Sequence, residues 1–192
     1  MSFDDAAQAT SASSGITTAL LGRYRQFAAY NEWANQRLYA AAATLSDDQY
    51  HADGGAFFGS VHGTLNHLLA TDRIWLRRIT GQGEAPGRLD AILFDTLPEL
   101  AGARRVEDER LLGLAEELTA ERLMGELTYS NMTGARFAQP LWTVLDHLFN
   151  HQTHHRGQVH ALLTRRAGPD AGPSLDLIAL QRETGTAHAA SV

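Results

Sequence analysis

Residues 146–160 read DHLFNHQTHHRGQVH and hold five of the chain's nine histidines. Histidine is a middling helix former, and a buried imidazole needs a hydrogen bond or a metal to offset its desolvation, so this crowding does nothing for a helix by itself. It points to something bound. The stretch sits inside a longer helical pattern: Pro140 opens it, and AGPDAGP (167–173) stops it near Arg166. With about 100° of turn per residue and His151 as the reference direction, Leu141, Val144, Leu148, Val159 and Leu162 fall within roughly 20° to 80°, and His155 at about 40°. His147 and His154 fall about 40° and 60° to the other side, at the rim of the stripe, and His160 faces away. Two inward imidazoles four residues apart lie one turn apart on one face, which is how a helix presents two nitrogens to one metal ion. Spacing alone leaves a second reading open, of core histidines bonded to each other or to backbone. The string HQTHH carries Gln152 where a metalloprotease helix of the H-E-x-x-H kind carries its general base, so that chemistry lacks its base.

Working outward, three more helices are expected. Ile16, Leu20, Phe27, Ala34, Leu38 and Ala41 recur on one face of a helix running to about Ala43. Ser60 caps a second helix, SVHGTLNHLLATDRIWLRRI, ending before Gly81; Thr96, Pro98 and Glu99 open a third that runs to about Leu118. GELTYSN and ARFAQP alternate weakly around MTG and read as a short β-hairpin. The fold class is all-α, a four-helix bundle with that hairpin between helices three and four. Residues 1–15, rich in Ser and Ala, read as a disordered tail, residues 16–185 as one domain, and residues 186–192 as a C-terminal tail.

Composition narrows the chemistry. The formal charge of -6 and pI near 5.8 argue against nucleic acid as a partner. No run of about 18 apolar residues suggests a membrane span, and the N-terminal stretch lacks the regions of a signal peptide, so a cytoplasmic address is expected. There is no cysteine, and all sixteen basic residues are arginine. Thiolate ligands and Schiff-base chemistry are therefore excluded, and a metal must sit on nitrogen and oxygen.

YNEWANQRLY on helix one, GTLNHLLATDRIWL on helix two, TYSNMTG at the hairpin and PLWTVLDHLFNHQTHHRGQ on helix four resemble the DinB/YfiT-like metalloenzymes, in the expected order. The resemblance implies a bundle holding a divalent metal on three histidines, one from the second helix and two from the fourth: His67, His151 and His155. Periodicity does not place His67 inward, since it falls roughly 80° outside the main cluster of Val61, Leu65, Leu68, Trp75, Leu76 and Ile79; His62 competes with it. Zinc or nickel suits imidazole best, with iron or manganese as further candidates. The resemblance further implies a low-molecular-weight thiol as co-substrate and a transferase acting on a small molecule. A hydrolase using metal-bound hydroxide, with His154, Asp72 or His147 as acid or base, and a non-catalytic stress- or damage-linked metal-binding protein are the alternatives.

Asn31 and Asp72 fall in the middle of apolar stripes, where they either orient a ligand imidazole or pair across helices, Asp72 with an arginine. Gly157 inside helix four suggests close backbone packing beside the site. Trp33, Trp75 and Trp142 read as core or interface aromatics. A homodimer is expected, because relatives pair this way and because Thr64, His67, Thr71 and Ile74 form a second face on helix two that a lone bundle need not bury.

Overall fold

The structure, a computed structural model, describes residues 3–189, with side chains from residue 15. Four long helices form the bundle: α1 (Phe3–Ala42), α3 (Val61–Thr80), α4 (Leu97–Glu116) and α6 (Leu141–Ala167). Short helices α2 (Asp47–His51), α5 (Ala120–Met124) and α7 (Leu177–Glu183) fill the connections, and strands β1 (Glu126–Ser130) and β2 (Arg136–Pro140) make the expected hairpin. α1 and α3 each pack on both α4 and α6, so the four long helices close a ring around one interior. The backbone of α1 is already helical at Phe3, upstream of the start near Ile16 that periodicity gives. The C-terminal tail expectation falls partly on residues 190–192, outside the described residues.

Local chemistry explains the boundaries. Ser60 and Thr96 cap α3 and α4 by accepting from the amides of Gly63 and Glu99, and Gly81 ends α3 in the left-handed conformation at φ 73. The hairpin pairs Tyr129 with Phe137 in antiparallel register. Its turn is held by the Asn131 carboxamide oxygen, which accepts from the amides of Thr133 and Ala135, while Gly134 takes a positive φ of 85. Periodicity misses α5 and α7, each too short to show a repeating face. α7 is pinned to α1 from outside: Glu183 accepts from the Trp33 indole at 2.8 Å and pairs with Arg37 at 2.6 Å.

The interior is layered. At the hairpin end Tyr24, Leu76, Leu111, Leu145 and Leu148 pack together; at the other end Leu38, Leu65, Leu69, Leu100, Val159 and Leu163 do so. Between them every long helix turns polar residues inward: Asn31 and Asn35 from α1, Asp72 from α3, Arg104 and Asp108 from α4, Gln152 and Arg156 from α6. Arg104 bonds Asp72 at 2.5 Å and lies 3.1 Å from Asp108. Asn31 and Asn35 donate to Asp108 at 3.0 and 2.9 Å, Gln152 donates to Asp72 at 2.8 Å, and Arg156 donates to Asn31. Burial works against the Arg104 charge, but Asp72 and Asp108 outweigh it and hold the guanidinium firmly protonated. Two arginines and two aspartates thus share one buried layer with the amides of Asn31, Asn35 and Gln152, which meet much of the hydrogen bonding a buried ionic cluster needs, although Nε of Arg156 and Nη2 of Arg104 have no hydrogen-bond partner among the described residues. Asn31 and Asp72 therefore pair across helices; neither touches an imidazole of the cluster on α6.

Two expectations are corrected here. Gly157 is exposed, and a Cβ built there meets nothing within 4 Å, so close packing does not explain this glycine. Thr64, His67, Thr71 and Ile74 are all buried within the single chain, so the second face of α3 is no ground for pairing. Over His67 the cover includes Phe58 and the Leu89 carbonyl, from residues 52–60 and 81–96.

Candidate metal centre

His67 on α3 and His151 and His155 on α6 converge where the two helices cross, with one ring nitrogen from each lying within 4.8 Å of the others. The H-x-x-x-H spacing delivers the α6 pair as expected, their ring centroids 4.4 Å apart. His67 is only 3% exposed. Its inward position comes from loops that bury a second stripe of α3. The Gly63 amide caps on Ser60, and a Cβ at Gly63 would strike the Phe58 carbonyl, so glycine there lets the 52–60 connector lie against the first turn of α3. The Phe58 ring then stacks on His67, centroids 3.6 Å apart and 16° from parallel. The connector is tied to the end of α6 by Arg165 and Arg166, which donate to the carbonyls of Gly54 and Asp53.

The other cover is the 81–96 loop. Asn66 accepts from the amides of Leu93 and Phe94 at 2.8 and 3.1 Å and donates back to the Phe94 carbonyl. His62, the competing candidate, is used here: its Nε2 lies 3.0 Å from that same carbonyl and its ring packs on His51 and Tyr50. The loop so held brings the Leu89 carbonyl to 2.7 Å from Nδ1 of His67. A carbonyl only accepts, so His67 keeps its proton on Nδ1 and turns the Nε2 lone pair inward. Gln158 does the same for His155, its amide oxygen 2.8 Å from Nδ1, while its NH2 contacts Nε2 of His154 at 3.2 Å. Leu89, Phe58 and Gln158 are invisible to motif reading, because a backbone carbonyl and a loop aromatic leave no signature.

Nε2 of His67 lies 3.1 Å from Nε2 of His151, whose Nδ1 is buried without a partner. Two nitrogens bound to one tetrahedral ion at 2.0–2.1 Å would lie roughly 3.3 Å apart, so the pair is already at ligand spacing. Two imidazoles held through their outer nitrogens, with Nε2 of the third at ligand spacing from one of them, fit a divalent cation. His147 and His154 stand at the rim, exposed, as the helical angles predict. The mouth is a cavity of about 280 Å³ bounded by Phe57, Phe58, His154 and Gln158, with Phe57 85% exposed.

Burial, aided by the neighbouring imidazoles, depresses the pKa of His67 to about 4 and that of His151 to about 3, and lowers that of His155. At neutral pH all three keep their lone pairs. The unfolded chain protonates these rings near pH 6.5 and the folded one only near the lowered values, so the contribution to stability is complete above pH 6.5 and is lost as pH falls towards 4. For His67 alone the loss at pH 5 is on the order of 2 kcal/mol. Thermal melts of the metal-free protein should fall steadily from pH 7 to pH 5; a flat profile would contradict the buried, neutral assignment. Proton competition with a bound metal correspondingly belongs well below pH 6.5, lower than unperturbed histidines would give.

The fold and the cluster together set a helical bundle with three histidines converging from two of its helices, and the comparisons give its family. The DinB family profile matches residues 16–184, and the chain belongs to that family. It is 29% identical to Protein DinB of Bacillus subtilis (strain 168) over 153 residues, covering 76% of this chain and 86% of that protein. The crystal structure of a DinB-like protein from Bacillus cereus ATCC 10987 superposes with a TM-score of 0.54 at 20% identity, over 70% of this chain and 86% of that one. Among the described residues, no helix is long and apolar enough to cross a membrane.

Proposed function

We propose that His67, His151 and His155 hold one divalent ion, zinc or nickel by preference, and that the protein is a metal-dependent transferase acting on a small molecule with a low-molecular-weight thiol. The observation that carries this is the convergence of three neutral imidazoles in one cluster, two of them held in orientation by Leu89 and Gln158. Three uncharged ligands leave a bound ion its full charge and a free position, which lowers the pKa of a bound thiol and supplies thiolate near neutral pH. The chain's own residues then do three things. Leu89 and Gln158 fix ring tautomers, Phe58 keeps water from the His67 face, and the Phe57–His154 mouth admits an apolar electrophile. The proposed location is the cytoplasm.

The hydrolase alternative would use bound hydroxide with His154 or His147 as acid or base, since Asp72 is committed to Arg104. The test is to incubate the metal-loaded protein with a thiol and a chlorinated aromatic electrophile, and separately with esters and amides. Thioether and chloride appearing only with metal and thiol together support the transferase; ester or amide cleavage without thiol replaces it with the hydrolase; turnover in neither leaves a metal-binding protein without catalysis.

A homodimer is retained as a proposal on the family resemblance alone. Sedimentation equilibrium at micromolar concentration should report twice the chain mass of 20.9 kDa; a concentration-independent monomer rules it out.

A further inference from the structure

Among the described residues, one arginine on the same helix as His67 bonds no oxygen. Every other buried or half-buried arginine meets an oxygen: Arg37 on Glu183, Arg73 and Arg110 on Glu107, Arg104 on Asp72, Arg122 on the Ile79 carbonyl, Arg156 on Asn31 and Arg166 on the Asp53 carbonyl. Arg78 is half-buried, and among the described residues its hydrogen bonding is confined to the Met132 sulfur at 3.9 Å. Its guanidinium carbon lies 4.5 Å from the centroid of the Trp75 ring and 5.1 Å from that of Tyr129. Stacking of this kind positions a guanidinium while leaving its in-plane N–H donors unused.

The location gives those donors a purpose. Arg78 follows His67 by eleven residues, three helical turns, so it returns to nearly the same face of α3 roughly 16 Å along the axis. A helical side chain leans towards the N-terminus, which brings Arg78 back over Trp75. The row between them is continuous: the Trp75 ring lies 5.3 Å from His147, and His147 lies 5.9 Å from His151, centroid to centroid. The hairpin walls the outer side with Tyr129 and the Phe137 ring stacked on it. Planar forks of N–H donors match carboxylates two bonds at a time.

We infer that Arg78, stacked on Trp75 and Tyr129, is an oxyanion subsite that receives the carboxylate end of a small ligand whose other end reaches the three-histidine cluster across Trp75 and His147. The inference deepens the metal reading and rests on it for the second anchor. The ligand class is a carboxylate-ended molecule with a metal-seeking donor and an apolar spacer about three helical turns or less in length. Stacking alone would account for Arg78 as a clamp on the hairpin, but a clamp confers no preference between an acid and the matching alcohol.

The test uses the full chain loaded with cobalt(II) and titrated with 8-mercaptooctanoic acid and with 8-mercaptooctanol, followed by thiolate-to-cobalt absorption. The acid should bind about tenfold tighter, the difference should vanish in Arg78→Gln, and Arg78→Lys should keep part of it. Equal binding of acid and alcohol by the wild type, or a preference that survives in Arg78→Gln, overturns the subsite. Protein that takes up no cobalt refutes the metal reading instead. The subsite is then decided on metal-free protein, where phenylacetate but not phenylethanol should shift the Trp75 indole N–H resonance, assigned with Trp75→Phe, and should fail to do so in Arg78→Gln. Absence of that shift in the wild type overturns the proposal in either case.

Discussion

Replacing His155 with alanine is expected to lower metal affinity by more than about 100-fold, since even the residues that merely orient a ligand typically cost 10–100-fold when lost. His154→Ala, one residue away and on the rim, should leave the metal content near one ion per chain. The pair tests the helical angle as much as the chemistry: His155 is 8% exposed with its Nδ1 held by Gln158, and the His154 ring sits beside it, exposed. The matched pair on α3 is sharper, because His67→Ala should lose the metal while His62→Ala should keep it. The His62 ring is occupied with the Phe94 carbonyl, so its loss should loosen the 81–96 loop and show as a small drop in melting temperature. Elemental analysis after dialysis reads all four variants. Equal losses in His154→Ala and His155→Ala, or metal lost in His62→Ala and retained in His67→Ala, would overturn the ligand assignment.

The second large effect lies in the polar layer. Asp72→Ala should destabilise the metal-free fold by about 3–5 kcal/mol, the usual cost of stripping one partner from a buried ion pair. The substitution leaves Arg104, 2% exposed, facing Asp108 alone, and strands the Gln152 amide as well. A surface comparator, Glu116→Ala, removes the partner of Arg25 at a solvent-exposed pair, and should cost no more than about 1 kcal/mol. Urea unfolding followed by circular dichroism measures both. A loss below about 1 kcal/mol for Asp72→Ala would mean the layer is not an ionic cluster. Metal affinity of the folded fraction should be unchanged, which separates this role from that of a residue orienting an imidazole.

The sequence and the tertiary structure divided this protein along a physical line. Helices with whole apolar stripes, their Ser60, Thr96 and Pro140 starts, and the hairpin around Asn131 and Gly134 depend on interactions within a few residues, so they are legible in the chain. So is the inward pair His151 and His155, because one turn of one helix fixes both directions. Asn31 and Asp72 are legible as polar residues needing partners, but their partners lie 77 and 32 residues away on α4, at Asp108 and Arg104, and nothing local names them. His67 is the clearest case. Its helical angle puts it off the main stripe, and its burial is completed by Phe58 and the Leu89 carbonyl, which close over α3 from two separate loops. Periodicity records the burial that helices give each other; burial by irregular chain follows no period, so only the folded structure shows it.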